Sequence, residues 1–111
     1  MKSISRETTF DEDTTDADVV FKALAALSEE VCREALAQRL FFKTVTIKMR
    51  YENFETHTRS KTLPFMTNRV QDLKKTAKDL IQVYLRIDRK IRLIGVRVSS
   101  FVKGEKQKTL A

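Results

Sequence analysis

The chain has few residues of the kinds that mark special architectures: one cysteine, one proline and two glycines among 111 residues. The single cysteine, Cys32, excludes an internal disulfide and is consistent with a reducing cytosol, so we expect a cytoplasmic protein. The scarcity of proline and glycine leaves no flexible linker or low-complexity segment. The longest apolar runs are too short to span a bilayer, and we expect no signal peptide. The length predicts one domain.

The sequence also offers little for catalysis or for metal binding. His57, the only histidine, lies in a polar segment with no evident nucleophile or carboxylate partner. The cluster Asp11-Glu12-Asp13 lacks the spacing of a calcium loop, and we interpret it as an acidic turn leading into a helix. There is no phosphate-binding glycine loop, zinc pattern or nucleophile elbow. The sequence therefore favours a binding module with no catalytic residue and no cofactor or metal site of its own.

Four segments show the two-residue alternation of strands that are buried on one side. They are residues 3–10, 44–51, 54–63 and 89–101. In the last segment Ile94, Val96 and Val98 share one face, which can enter an apolar core. The opposite face of that segment carries a guanidinium, hydroxyls and bare backbone, which suit contact with phosphate groups. Asn53 predicts a tight turn that would make the second and third strands an antiparallel hairpin.

Two amphipathic segments lie between these strands and predict helices. Residues 17–39 and 68–86 repeat apolar side chains at spacings of three and four. Asp16 is a good N-cap for the first helix, and Thr67 or Asn68 for the second, after Pro64 has ended the preceding strand. The order is β-α-β-β-α-β. We therefore expect an α+β fold, a two-layer sandwich with a four-stranded sheet and two helices on one face.

Positive charge is concentrated after the first third of the chain. Residues 1–34 carry nine acids and four bases, a net charge of −5, whereas residues 35–111 carry six acids and eighteen bases, a net charge of +12. A basic region on a small domain usually meets a polyanion, most often nucleic acid. The charge pattern therefore predicts a polyanionic partner.

The basic side chains divide into two groups by their predicted position. Those of the second helix are best explained as a solvated outer face, and they are Lys74, Lys75 and Lys78. In contrast, Lys48, Arg50 and Arg97 are in phase with serine and threonine hydroxyls on the sheet face that no helix covers. Arginine, lysine and hydroxyl groups are the usual donors to phosphate oxygens, and they fix position without reading sequence.

Three segments resemble the little finger domain of Y-family DNA polymerases, the translesion enzymes of the DNA polymerase IV (DinB) type. They are residues 2–10 (KSISRETTF), 58–64 (TRSKTLP) and 89–99 (RKIRLIGVRVS), and the last is most similar to archaeal members. The resemblance covers residues 2–102. Some relatives have two arginines before Ile-Gly, and here the second position is Leu93, so one cationic contact is missing.

The resemblance implies a function that the alternation of residues and the charge distribution do not indicate. A little finger follows the palm, fingers and thumb and lays its sheet against the backbones of primer–template duplex DNA, which influences processivity and lesion bypass. Residues 1–103 would be this DNA-binding domain and 104–111 a basic tail. The catalytic carboxylates and Mg²⁺ of the family belong to the palm, so this fragment would not be an enzyme, although its parent would be a DNA polymerase. The expected DNA-binding residues are Ser3, Ser5, Arg6, Lys48, Arg50, Thr58, Arg59, Ser60, Lys61, Thr62, Arg92 and Arg97.

Other partners are suggested more weakly. Gln107 to Leu110 match the first half of the sliding-clamp peptide that some family members carry, but the chain stops before its aromatic pair. The same element order serves RNA-recognition domains, which need aromatic side chains on the exposed central strands. A third alternative is a protein-interaction module of ferredoxin-like topology whose basic face binds an acidic partner. We expect no membrane partner.

Overall fold

A computed structural model describes residues 3–103 of the chain. Its elements, in order, are β1 (Ser3–Thr14), α1 (Ala17–Ala37), β2 (Leu40–Tyr51), β3 (Thr56–Thr67), α2 (Val70–Ile81), a 3₁₀ turn (Gln82–Tyr84), β4 (Ile91–Ser99) and β5 (Val102–Lys103). The predicted order of strands and helices is confirmed. The clamp-like residues Gln107 to Leu110 lie outside the described residues.

The main sheet has the strand order β1-β4-β2-β3, and neighbouring strands are antiparallel. β2 and β4 are therefore the central strands, and β1 and β3 are the edges. The short β5, which the sequence did not predict, pairs with the first residues of β2 through Leu40 and Phe41.

One face of the sheet packs against both helices, which confirms the two-layer α+β sandwich. The pairs Val45–Val98, Ile47–Val96 and Met49–Ile94 join the central strands, and all six side chains are at most 1% exposed. They form one core with the apolar stripes of the two helices, whose buried members are Val20, Leu24, Leu27, Val31, Leu73, Ala77, Leu80 and Ile81. Burying each large aliphatic side chain contributes about 1.5–3 kcal/mol. Neither described helix is long and apolar enough to cross a membrane.

At the start of each helix, a polar side chain accepts a hydrogen bond from a backbone N–H group that has no partner within the helix. The Asp16 carboxylate accepts from the Asp18 N–H at 2.9 Å, so the predicted N-cap of α1 is confirmed. At α2 the N-cap position is Arg69, not Thr67 or Asn68 as predicted, and its own side chain makes no capping bond. The Thr67 hydroxyl accepts from the Arg69 N–H at 3.1 Å and donates to the Asp72 carboxylate at 2.6 Å. α2 ends at Ile81, five residues before its predicted end, because the chain tightens into the 3₁₀ turn.

Two further sequence interpretations were wrong. Pro64 does not end β3, which continues to Thr67. A proline fits there because β3 is an edge strand whose pairing with β2 is irregular between Thr62 and Thr67, so no ladder hydrogen bond is lost. The cluster Asp11-Glu12-Asp13 is not a turn either, since it lies within β1, where the pairing with β4 shifts register between Thr9 and Thr14.

The predicted hairpin turn between β2 and β3 is confirmed. The Asn53 side-chain oxygen accepts from the Glu55 N–H at 3.1 Å, and the Phe54 N–H donates to the Tyr51 carbonyl at 2.9 Å. Phe54 has φ = 69°, in the left-handed region that costs a bulky L-residue free energy. Tyr51 anchors this end of the sheet, because its hydroxyl donates to the Tyr84 carbonyl at 2.9 Å.

Candidate nucleic-acid interface

The face of the sheet opposite the helices, here called the open face, is defined by the cross-strand register. Ser5, Arg97 and Thr46 stand in one row across β1, β4 and β2, and Glu7, Gly95 and Lys48 stand in the next. Because paired residues point to the same side of a sheet, Arg97 and Lys48 share this face as predicted. The open face comprises Ser3, Ser5, Glu7, Thr9, Thr44, Thr46, Lys48, Arg50, Thr56, Thr58, Ser60, Thr62, Leu93, Gly95, Arg97 and Ser99.

Hydroxyl groups on the open face hold one another in fixed positions. The hydroxyls of Thr46 and Ser60 are 2.7 Å apart, and those of Thr44 and Thr62 are 3.3 Å apart. The Arg50 Nε donates to the Thr56 hydroxyl at 2.9 Å. In each hydroxyl pair one group donates its single proton to the other, and the accepting hydroxyl keeps its own proton for an outside oxygen. The face is therefore a preformed surface of donors.

Three cations stand on the open face with one carboxylate. Lys48 and Glu7 form an ion pair of 3.2 Å between Nζ and Oε1. Arg97 is exposed, and its side chain forms no ion pair or hydrogen bond within residues 3–103. With Arg50 the face has a net charge of +2, and its Arg97 guanidinium is available to an external anion.

A shallow depression lies over Gly95, at the centre of the open face. Its volume is about 200 Å³, and the open-face side chains lining it include Ser5, Glu7, Lys48 and Arg97. Gly95 makes the depression because it has no side chain to fill the middle of the row. Gly95 itself is buried between the side chains of the neighbouring strands.

Four of the expected DNA-binding residues lie away from the open face. Arg6 faces the helices, with its guanidinium 3.6 Å from the Glu34 carboxylate of α1. Arg59 also points to the helix side, where it donates to the Leu80 carbonyl at the end of α2 at 3.0 Å. Lys61 shares that side of β3, since it pairs with buried Val45.

The fourth, Arg92, lies at the irregular end of β4. Its guanidinium is 4.7 Å from the centre of the Phe54 ring and 3.8 Å from the Asp13 carboxylate. The remaining eight expected residues are on the open face, and they are Ser3, Ser5, Lys48, Arg50, Thr58, Ser60, Thr62 and Arg97.

Sequence reasoning omitted several members of the open face. Thr44 and Thr46 alternate in phase with Lys48, so the two-residue period alone could have added them to the site. Glu7 is in phase with Ser3 and Ser5, but its contact with Lys48 crosses two strand pairings that the sequence does not reveal.

Other reactive groups among the described residues are occupied or buried. Burial raises the pKa of the Cys32 thiol to about 11, so the nucleophilic thiolate is scarce at neutral pH. The His57 ring stacks on Tyr84 and bonds to the Glu55 carboxylate at 2.5 Å, so the expectation that it has no carboxylate partner was wrong. Hydrogen bonds from His57 and then Arg89 lower the pKa of Glu55 to about 2. No group of three or more acidic, histidine or cysteine side chains in residues 3–103 is placed to hold a metal ion.

Comparison with known proteins identifies the family. The profile of the impB/mucB/samB family C-terminal domain matches residues 1–110. The chain therefore belongs to this family, as the C-terminal or little finger domain of Y-family DNA polymerases, and the resemblance seen in the sequence is confirmed.

Individual relatives agree with the family. The chain is 45% identical over 103 residues to the DNA polymerase IV of Methanoculleus marisnigri, which covers 93% of this chain and 28% of that polymerase. The fold matches the insertion ternary complex of Dbh DNA polymerase with a TM-score of 0.81 at 19% identity, covering 91% of this chain and 29% of the other. It also matches the little finger domain of PolIV in a complex with the beta-clamp processivity factor, with a TM-score of 0.71 at 19% identity and 87% and 86% coverage. The chain thus spans less than a third of the curated polymerase that it matches.

Proposed function

We propose that the open face binds the phosphate backbones of primer–template duplex DNA without sequence preference. The observation that carries this proposal is Arg97, an exposed guanidinium without an ion pair in the described chain, standing beside the depression over Gly95. Phosphate oxygens accept hydrogen bonds from guanidinium and hydroxyl groups such as those on this face. The surface lacks a helix that could enter the major groove to read bases, since both described helices pack on the opposite side.

The proposal extends to the protein from which the domain comes. We infer that the parent is a translesion DNA polymerase of the DNA polymerase IV type, acting in the cytoplasm, in which this domain supports processivity and lesion bypass. In that enzyme the palm would hold the catalytic carboxylates and Mg²⁺, and this domain would contribute DNA contacts alone. The names of the relatives support this inference.

The domain would have further partners within and beyond the polymerase. We place the little finger at residues 1–103, in contact with the palm, fingers and thumb, and a basic tail at 104–111. The PolIV little finger that shares this fold forms a complex with its beta-clamp. The half-motif Gln107 to Leu110 is a candidate segment for a similar contact here.

The open face argues against the two alternative functions. On β2 and β4 its described members are Thr44, Thr46, Lys48, Arg50, Leu93, Gly95, Arg97 and Ser99, none of them aromatic. RNA-recognition sheets need aromatic rings at such positions to stack bases. A surface that binds one acidic protein usually has a shape complementary to that protein. The open face is shallow and has donors along its strands, which suits a polyanion of regular structure.

A salt titration with matched variants tests the proposal. Duplex binding is measured by fluorescence anisotropy at several salt concentrations for the wild type, Arg97→Ala and Lys75→Ala. If about four phosphates are neutralised, log K falls with log salt at a slope of about −3.6, and Arg97→Ala makes the slope shallower by about 0.9. Lys75 is exposed on the helix side, so Lys75→Ala removes the same charge and leaves the slope unchanged.

Two results would contradict the proposal. Equal losses for Arg97→Ala and Lys75→Ala would mean that the open face is not the binding surface. Stronger competition by single-stranded RNA or by an acidic protein than by duplex DNA would favour the corresponding alternative. The wild type should bind duplexes of different sequence alike.

A further inference from the structure

Glu7 is the only carboxylate on the described open face, and its position is specific. It projects from the edge strand β1, Lys48 projects from β2, and Gly95 of β4 lies between them in the same row. The Glu7 Oε1 and the Lys48 Nζ are 3.2 Å apart. An acid and a base that start two strands apart therefore meet at the centre of the surface proposed to bind phosphate.

Gly95 allows this contact. A Cβ at position 95 would lie 3.1 Å from the Glu7 Cβ and 3.6 Å from the Lys48 Cβ. With only hydrogen there, the two side chains can meet across β4 over the depression. The pair is thus built into the site and is not a chance contact at its rim.

We propose that Glu7 occupies, in the free protein, the place at Lys48 that a DNA phosphate takes in the complex. Glu7 is then an internal competitor that limits the affinity of the open face. The inference rests on the proposed function of that face. A carboxylate and a phosphate both accept charge-assisted hydrogen bonds from an ammonium group, and their negative charges repel each other. Lys48 therefore contributes less to binding than Arg97, which has no such partner.

The test compares Glu7→Gln with Glu29→Gln. Glu29 forms the corresponding pair with Lys74 on the helix side, with Nζ and Oε2 2.7 Å apart. The side-chain exposures are 37% for lysine and 53% for glutamate in the open-face pair, against 37% and 52% in the control pair. Both substitutions remove one negative charge and keep a hydrogen-bonding side chain. Any difference in DNA affinity between the two variants is therefore due to where the ion pair lies on the protein.

Duplex binding is measured for both variants between about 0.05 and 1 M salt. In a plot of log K against log salt, each phosphate contact contributes about 0.9 to the slope. Glu7→Gln should steepen the slope by about 0.9 and tighten binding about eight-fold at 0.1 M salt, an effect that vanishes towards 1 M. Glu29→Gln should leave the slope unchanged. Equal changes in the two variants, or weaker binding by Glu7→Gln, would overturn the inference.

Two further variants show whether Glu7 acts through Lys48. In a Lys48→Gln background, adding Glu7→Gln should tighten binding less than it does in the wild type, because only the repulsion between the carboxylate and the phosphate is left to remove. An undiminished gain in that background would overturn the inference. Wild-type protein that fails to bind duplex DNA would refute the proposed function and the inference together, whereas a binding protein with identical Glu7→Gln and Glu29→Gln profiles would refute the inference alone.

Discussion

Replacing Gly95 by alanine should destabilise the domain, although a strand normally gains from this change. The new Cβ would lie 3.1 Å from the Glu7 Cβ and 3.4 Å from the Arg6 carbonyl oxygen. Both atoms are fixed to the backbone of β1, so the overlap is relieved only if β1 moves away from β4. Overpacking of this kind costs about 1–3 kcal/mol. The unfolded chain has less conformational entropy with alanine than with glycine, which stabilises the variant by about 0.4–1 kcal/mol. The net decrease in the free energy of unfolding is therefore about 1–2 kcal/mol.

Urea denaturation measures this loss. With a denaturant dependence of about 2 kcal/mol/M, the midpoint of Gly95→Ala should fall by about 0.5–1 M at an unchanged slope. Glu7→Gly removes one of the two colliding atoms, so Gly95→Ala should cost about 1 kcal/mol less in that background than in the wild type. A Gly95→Ala variant as stable as the wild type, or an equal cost in both backgrounds, would refute the steric argument.

Two further predictions concern the hairpin end of the sheet. The folded pKa of Glu55, about 2, lies below its usual value of 4.5 because of its bonds with His57 and Arg89. The stabilisation from these bonds is therefore complete above pH 4.5 and is lost as the pH falls through 2. Urea midpoints between pH 6 and pH 2 should therefore fall less for Glu55→Gln than for the wild type, and parallel profiles would exclude this role. Phe54 has φ = 69°, so the Phe54→Gly variant should be more stable than Phe54→Ala by about 1 kcal/mol. Both variants lose the contact with Arg92, and only the alanine variant keeps the backbone strain. Calorimetry measures the difference, and a more stable Phe54→Ala would show that the turn is unstrained.

The central strands could be predicted from the sequence because their alternation is complete. In β2 the apolar Val45, Ile47 and Met49 fix which side faces the core, and Lys48 must then point the other way. The same reasoning applies to β4 and Arg97. The family resemblance agreed with this interpretation, and it alone suggested primer–template DNA as the proposed partner, which periodicity does not indicate.

On the edge strands the expected site followed the family resemblance, which included every residue from 58 to 62 although successive residues of a strand face opposite sides of the sheet. Arg6 and Arg59 are charged, yet both stand on the helix side of the sheet. Each can do so because it finds a partner far away in sequence, the Glu34 carboxylate and the Leu80 carbonyl respectively. Such contacts depend on where α1 and α2 cross the sheet, and no local pattern encodes that. Pro64 was misread for a related reason, since an edge strand can tolerate a residue that a central strand would exclude.

The uneven placement of charge has a consequence before any contact forms. The open face is cationic, whereas α1 on the other side carries Asp18, Glu29, Glu30 and Glu34 against two bases. In the field of a nearby polyanion, α1 is repelled while the open face is attracted, which disfavours orientations that bring α1 against the polyanion. The charge of α1 thus acts on the orientation of the domain at a distance, before the open face makes any hydrogen bond.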